Sequence, residues 1–286
     1  MKIVKNLGEI NALISSIRSS DPAKKIGFVP TMGALHEGHL SLINAAQAVC
    51  DIVICNIFVN PTQFNNPSDL ATYPRTIAED TEKLESVNCD VLIIPDVDSV
   101  YPNGVNSGYT IDLEGIDQVL EGKFRPGHFN GVCMVVERLF EMVGPNKAFF
   151  GEKDFQQLAI IRKMVEIRKI DVEVIGVLIQ RNKNGLALSS RNALLSEEQL
   201  KDAEIIYQSL LAGVLHAVKS NSSLHITEEI LRTFKKGNLE LEYVEIVDST
   251  TLLSVDVVDN NSRICMAAYC GSVRLIDNMG LNLPIK

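Results

Sequence analysis

The chain has 286 residues, of which 46% are hydrophobic and 22% charged, and its formal charge is −9. This is the composition of an ordinary globular protein, and the acidic balance argues against a surface for nucleic acid, which needs clustered Lys and Arg. No apolar stretch reaches the roughly 18 residues that span a bilayer, and the opening MKIVKNLGEINALISSIRSS is too charged for a signal peptide; the cysteines, which read as reduced core residues, point to a cytoplasmic location.

The first strong element is KIGFVP (25–30), apolar on both parities as a strand buried on two faces should be. The turn PTMGALHEGHL leads into GHLSLINAAQAVC (38–50), where Leu40, Ile43, Ala46 and Ala48 to Val49 fall at roughly helical spacing. DIVICNIFV, DVLIIP, KAFFG and VEVIGVLI repeat the strand pattern, with TIAEDTEKLESV and VCMVVERLFEMV (132–143) as helices among them. Alternating strand and helix implies right-handed crossovers and a doubly wound, mostly parallel α/β sheet over residues 1–180.

After the polar loop RNKNGLALSSRN the pattern changes. SEEQLKDAEIIYQSLLAGVLHAV (196–218) reads as one long amphipathic helix with Ser196 as N-cap. LEYVEIVD and SRICMAAYC then read as strands of a smaller α+β domain, residues 181–286. Cys50, Cys55, Cys89, Cys133, Cys265 and Cys270 lie in apolar runs without a C-x-x-C pair and read as reduced core residues.

Ligands of doubly wound sheets bind where strand carboxyl ends feed helix N-termini. The turn carrying His36 and His39 is such a place: its free backbone N–H groups favour anions, Gly33 and Gly38 permit close approach, and each imidazole offers a ring N–H without being charged. Two surface histidines on an ordinary turn remain an alternative. Zinc is a weaker one, since only Glu37 and His128 could complete the set. FVNPTQF places the neutral amides of Asn60 and Gln63 at the next strand end, with Pro61 setting the turn. FFGEKDFQQL puts Lys153 and Asp154 at a helix start and Gln157 one turn on, while GLALSSRN gives two hydroxyls and the Arg191 fork in a flexible loop suited to phosphates. An ordinary polar turn, a capping acid beside a solvated lysine, and a plain surface loop are the respective alternatives.

Together, PTMGALHEGHLSLI, FVNPTQF, YPRT, EGKFRPGHFNGV, FGEKDFQQL and GLALSSRN resemble the pantothenate synthetase (pantoate–β-alanine ligase) family within the H-x-G-H nucleotidyltransferase superfamily, in order and over essentially the whole chain. The resemblance implies an ATP- and Mg²⁺-dependent ligase acting through a pantoyl-adenylate, usually a homodimer, with a nucleotide-binding N-terminal domain and a C-terminal lid. It further implies that Met32, Gly33, Ala34, Leu35, His36, Glu37, Gly38 and His39 bind ATP, as do Gly151, Glu152, Lys153, Asp154, Gln180, Leu188, Ser189, Ser190 and Arg191. His39, His36 and Lys153 would act in the chemistry, Gln63 and Gln157 would grip pantoate with Asn60 and Tyr73 nearby, and Asp80 would lie in the metal neighbourhood. Leu188 and Gln180 depart from residues common in the family, and both act there through shape or backbone. A nucleotidyltransferase with another small acceptor is the nearest rival, yet a phosphorylated acceptor calls for extra Arg or Lys at the FVNPTQF edge, which holds only amides. A non-catalytic nucleotide-binding regulator is a further rival, against which the joint presence of His36, His39, Lys153 and Arg191 speaks.

Overall fold

The computed structural model describes residues 1–64, 67–105 and 108–281. Six strands form one all-parallel sheet: β1 (Lys2–Val4), β2 (Ile26–Thr31), β3 (Ile52–Ile57), β4 (Val91–Ile93), β5 (Lys147–Gly151) and β6 (Glu173–Val177), in the order β1-β4-β3-β2-β5-β6. Successive residues point to opposite faces. Phe28, Ile54, Ile93, Ala148 and Phe150 enter one core, and Val29, Cys55, Leu92 and Phe149 the other. The helices Leu7–Ser20 and His128–Val143 cover the first face, and Glu37–Gln47 covers the second. This is the doubly wound α/β architecture expected from the sequence.

Two differences have plain causes. β6 is only half-buried, because it is an edge strand with β5 as its one neighbour. The helix expected over 132–143 starts four residues earlier, at His128, behind Gly127 in the left-handed region (φ 79°), and it stops at Gly144 (φ 57°). Glycine takes positive φ at no steric cost, which makes it a natural helix stop.

The second sheet is antiparallel, β7 (Glu240–Asp248), β8 (Ser262–Cys270) and β9 (Val273–Gly280), in that order. Ile264, Met266 and Leu275 pack with Ile206, Leu210, Ile226 and Ile230 from the helices Glu204–Ala217 and Ser223–Phe234. The single helix expected over 196–218 is two, Glu197–Asp202 and Glu204–Ala217. At the break the Ile206 N–H donates to Ala203 O at 3.1 Å, a tighter i−3 bond that interrupts the α pattern. Ser196 caps the first piece, its hydroxyl accepting from Gln199 N while the Gln199 side chain accepts from Ser196 N.

Contacts divide the chain into two compact units. One comprises Met1–Asp117, Arg125–Glu152 and Gln157–Leu178, and the other Gln118–Phe124, Lys153–Gln156 and Ile179–Lys286. Two short pieces of the first 180 residues thus fold with the C-terminal part. All six cysteines are free, and burial pushes the Cys89 thiol up to about 11 and those of Cys133 and Cys265 to about 12, which makes them inert packing residues. Among the described residues, no helix is long and apolar enough to cross a membrane.

Candidate active site

From β2 the chain passes to β3 on one side, and after β4 it crosses to β5 on the other. The carboxyl ends of β2 and β5 therefore flank the topological switch point, where open parallel sheets bind ligands. The loops that follow β2 and β3 leave by this edge, and they carry residues 32–39, Asn60 and Gln63.

After Thr31 the chain makes a turn in which Gly33 (φ 82°) and Ala34 (φ 49°) are both left-handed. A Cβ at Gly33 would lie 3.0 Å from Ile57 Cγ2 and 3.1 Å from Asp80 Oδ2, so glycine is needed for space as well as for conformation. His36 then caps the helix Glu37–Gln47, its Nδ1 accepting from Gly38 N at 3.1 Å, and His39 Nδ1 accepts from His36 N at 3.3 Å. The two rings complete a capping box, centroids 4.1 Å apart. An Nδ1 that accepts carries no proton, so the bonding pattern places both ring protons on Nε2. Each imidazole thus keeps an N–H donor beside the positive end of a helix. Glu37 is exposed and Leu35 is buried under the turn, while Met32 is half-buried.

Asp80, expected in the metal neighbourhood, is spent on this turn. It is fully buried, and its carboxylate accepts from Ala34 N at 2.9 Å, Leu35 N at 2.7 Å and the Thr76 hydroxyl at 3.2 Å. Lys83 Nζ donates to Leu35 O at 2.6 Å from the same helix, Ile77–Ser86. Asp80→Asn would turn an amide N–H₂ toward a backbone donor. We expect it to cost about 1–3 kcal/mol of stability, as an unsatisfied buried group does, with turnover falling roughly tenfold. Denaturant unfolding checks the assignment: a residue that holds the turn lowers the midpoint when replaced, and an unchanged midpoint would refute that role.

Beyond β3, Asn60 caps a short 3₁₀ turn, Pro61–Gln63. Asn60 is buried, and its amide is fully engaged: Nδ2 donates to Gln63 Oε1 and Gly131 O, both at 3.2 Å, and Oδ1 accepts from the Tyr101 hydroxyl at 2.8 Å and from Thr62. Gln63 Nε2 donates to Met32 Sδ at 2.9 Å, and its carbonyl bonds His128 Nδ1 at 2.7 Å. His128 is thereby a buried support of the loop. Tyr73 is buried edge-on to Phe64, ring centroids 5.7 Å apart.

Gly131 allows the helix His128–Val143 to touch this turn, because a Cβ there would lie 2.3 Å from Thr62 O and 2.7 Å from Thr62 C. Both are backbone atoms and cannot rotate away. Gly131→Ala is expected to cost about 1–3 kcal/mol by overpacking and to displace Gln63. Denaturant unfolding checks this, with the midpoint falling and the slope unchanged.

Gly151, at the end of β5, and Glu152 and Gln157 are half-buried and group with the parallel sheet. Lys153 and Asp154 group with the C-terminal unit, Lys153 Nζ lying 3.7 Å from Asp154 Oδ1. In that unit the loop expected to be flexible is a small hairpin. Arg181 bridges Ala187, Leu188 N donates to Gln180 O at 2.9 Å, and the Ser189 hydroxyl accepts from Arg191 N at 3.3 Å to cap the 3₁₀ turn Ser190–Leu194. Ladder and cap hydrogen bonds hold this backbone. Gln180 is exposed, and Leu188, Ser190 and Arg191 are half-buried.

Residues 2–280 match the family model described as pantoate–β-alanine ligase. The chain belongs to the pantoate–β-alanine ligase family. It is 43% identical over 285 residues to a pantothenate synthetase of Bacteroides fragilis, covering 98% of each chain. It is 47% identical over 279 residues to one of Christiangramia forsetii, covering 96% of this chain and 98% of the relative. Its fold matches the pantothenate synthetase of Thermus thermophilus with a TM-score of 0.91 at 37% identity, covering 99% and 100% of the two chains. The pantoate–β-alanine ligase of Francisella tularensis, solved with β-γ ATP and β-alanine, matches with a TM-score of 0.81 at 38% identity, covering 99% of each.

Within this ligase, reading the sequence missed the supports behind the expected site: the turn-holding task of Asp80, and Tyr101, His128 and Gly131 around Asn60 and Gln63. The segment EGKFRPGHFNGV was the available signal for His128 and Gly131, since a glycine and a histidine in an apolar helix suggest close packing and a buried polar contact.

Proposed function

We propose that the chain carries out the pantothenate-forming, ATP-dependent ligation of its family in two steps at the carboxyl edge of the parallel sheet, through a pantoyl-adenylate. A carboxylate does not react with an amine at neutral pH, because its carbon is electron-rich and oxide is a poor leaving group. In the first step the pantoate carboxylate attacks the α-phosphorus of ATP and pyrophosphate leaves. In the second the amine of β-alanine attacks the acyl carbon, loses its extra proton, and AMP leaves.

The observation that carries this reading is the histidine capping box, which commits both Nδ1 atoms to backbone and keeps two Nε2–H donors at a helix N-terminus. We assign residues 32–39, 151–154, Gln180 and 188–191 to ATP, with His36, His39 and Lys153 stabilising charge on the α-phosphate and leaving group. Gln63 and Gln157 hold pantoate, with Asn60 behind Gln63 and Tyr73 beside it. Neutral amides orient a carboxylate without drawing charge from the attacking oxygen.

Mg²⁺ belongs to this reading as the companion of the nucleotide, where it neutralises phosphate charge. The described residues do not fit a protein-held ion: Asp80 is engaged with backbone, and no three His, Cys, Asp or Glu side chains among them gather as a ligand set. A cytoplasmic homodimer, with residues 1–180 holding pantoate and most of the ATP-binding residues and 181–286, which carries 188–191, as lid, completes the proposal on the strength of the family resemblance.

The test is ATP consumption with Mg²⁺ and pantoate, resolving AMP from ADP, with β-alanine present or omitted. Sustained AMP and pyrophosphate formation only with both substrates supports the adenylate route. ADP as product would replace it with acyl-phosphate chemistry.

A further inference from the structure

Strand β9 carries two adjacent polar residues, Asp277 and Asn278, each more than nine-tenths buried. Such groups are costly in a core unless they are fully hydrogen-bonded, and these are bonded to Lys153, assigned above to ATP, and to Arg181 in the hairpin that carries residues 188–191. Asn278 Nδ2 donates to the backbone carbonyl of Lys153 at 2.9 Å, and its Oδ1 accepts from Arg263 Nη1. The Arg263 guanidinium lies 4.2 Å from the ring centre of Phe155, two residues beyond the lysine. Asp277 binds Arg181 through both carboxylate oxygens, and Arg181 also donates to the carbonyls of Gly185 and Asn278. Arg181 opens the hairpin that ends in Leu188 to Arg191. One strand therefore grips the lysine turn with one residue and the Ser-Ser-Arg hairpin with its neighbour.

We propose that Asn278 is a positioning residue for Lys153 in the adenylation step, with the Asp277–Arg181 pair setting the hairpin against the same strand. The proposal rests on the assignment of Lys153 and residues 188–191 to ATP. A lysine on a four-carbon stem is a mobile point charge, so its backbone must be fixed for Nζ to meet a phosphate oxygen at one place. The Lys153 turn, Glu152–Asp154, is only three residues long. The carbonyl bond from Asn278 supplies an anchor from outside it.

The test is a double-substitution cycle with Asn278→Ala, Lys153→Ala and the pair, measured as pantoate-dependent pyrophosphate release in single turnover with enzyme in excess. Asn278→Ala is expected to lower this single-turnover rate about tenfold, the usual worth of one well-placed hydrogen bond, and to leave the steady-state KM for β-alanine unchanged. In the Lys153→Ala background it should lower the rate no further, because residues that act as a unit are non-additive. An equal loss in both backgrounds would overturn the proposal and leave Asn278 a general structural residue. Full activity of Lys153→Ala would overturn the site assignment and the proposal with it. If thermal unfolding shows that Asn278→Ala does not fold, Asn278→Asp, which keeps the oxygen that accepts from Arg263 and loses the donor to Lys153, takes its place in the cycle.

Discussion

Replacing His39 by alanine is expected to reduce pantoate-dependent AMP formation by a hundred- to a thousandfold. His39 has two tasks that reside on different ring atoms. Nε2–H is the donor assigned to phosphate, and losing one well-aimed donor to developing charge costs about 3–4 kcal/mol. Nδ1 accepts from His36 N, and losing a cap contact costs about 1 kcal/mol of stability. Conservative variants separate the tasks. An asparagine amide oxygen reaches the place of Nδ1, so His39→Asn should recover the unfolding temperature and leave the rate low. A glutamine amide nitrogen reaches the place of Nε2, so His39→Gln should recover part of the rate without the stability. Full activity in His39→Asn would refute the donor role.

The largest stability effect is expected from Arg274→Ala. Arg274 Nη1 and Nη2 donate to both oxygens of Glu121 at 2.6 and 2.9 Å, and Nε donates to Glu242 Oε2 at 2.9 Å. The Tyr243 hydroxyl donates to Glu121 Oε1 at 2.8 Å, and the Tyr243 ring stacks on Phe124, centroids 5.3 Å apart. Burial, with the Glu121 charge beside it, pushes the Tyr243 phenol far above its usual range, so it stays a donor at any working pH. Removing the arginine leaves a buried carboxylate facing a second carboxylate. A broken buried pair costs about 3–5 kcal/mol, a large share of the stability of any domain. Arg274→Lys keeps the charge and loses the bidentate fork, so its loss should be smaller but measurable. Denaturant unfolding of the three proteins ranks them, and equal midpoints would show that the network contributes nothing net.

Those two regions differ in how far the sequence revealed them. β2, β3 and β5 were legible because nearly every position is apolar, as burial on both faces requires. β1 was not, since a three-residue strand leaves no periodicity to read. β9 was hidden by its own chemistry. Val273 and Leu275 alternate inward as a strand should, but the next inward position holds Asp277, which is polar and reads as a break. Its burial makes sense only with Arg181, nearly a hundred residues earlier. The histidine turn announced itself through glycines and ring nitrogens at a strand end, whereas the role of Asp80 depends on backbone N–H groups 45 and 46 residues away. Local pattern locates groups that could meet a ligand. It says little about the groups behind them, whose partners are set by topology.

The interleaved make-up of the two units also bears on how the chain assembles during synthesis. Glu121 is buried against Arg274, 153 residues later. At roughly 5–20 residues per second, the ribosome delivers that partner some 8–30 s after the glutamate. Until then Gln118–Phe124 and Lys153–Gln156 lack the part of the protein with which they fold, though the parallel sheet already has its strands. A nascent chain of about 180 residues is therefore an unfinished object with two loose insertions, and the lysine assigned to ATP lies in one of them. Competence for the reaction arrives late and all at once, when the last strand is made.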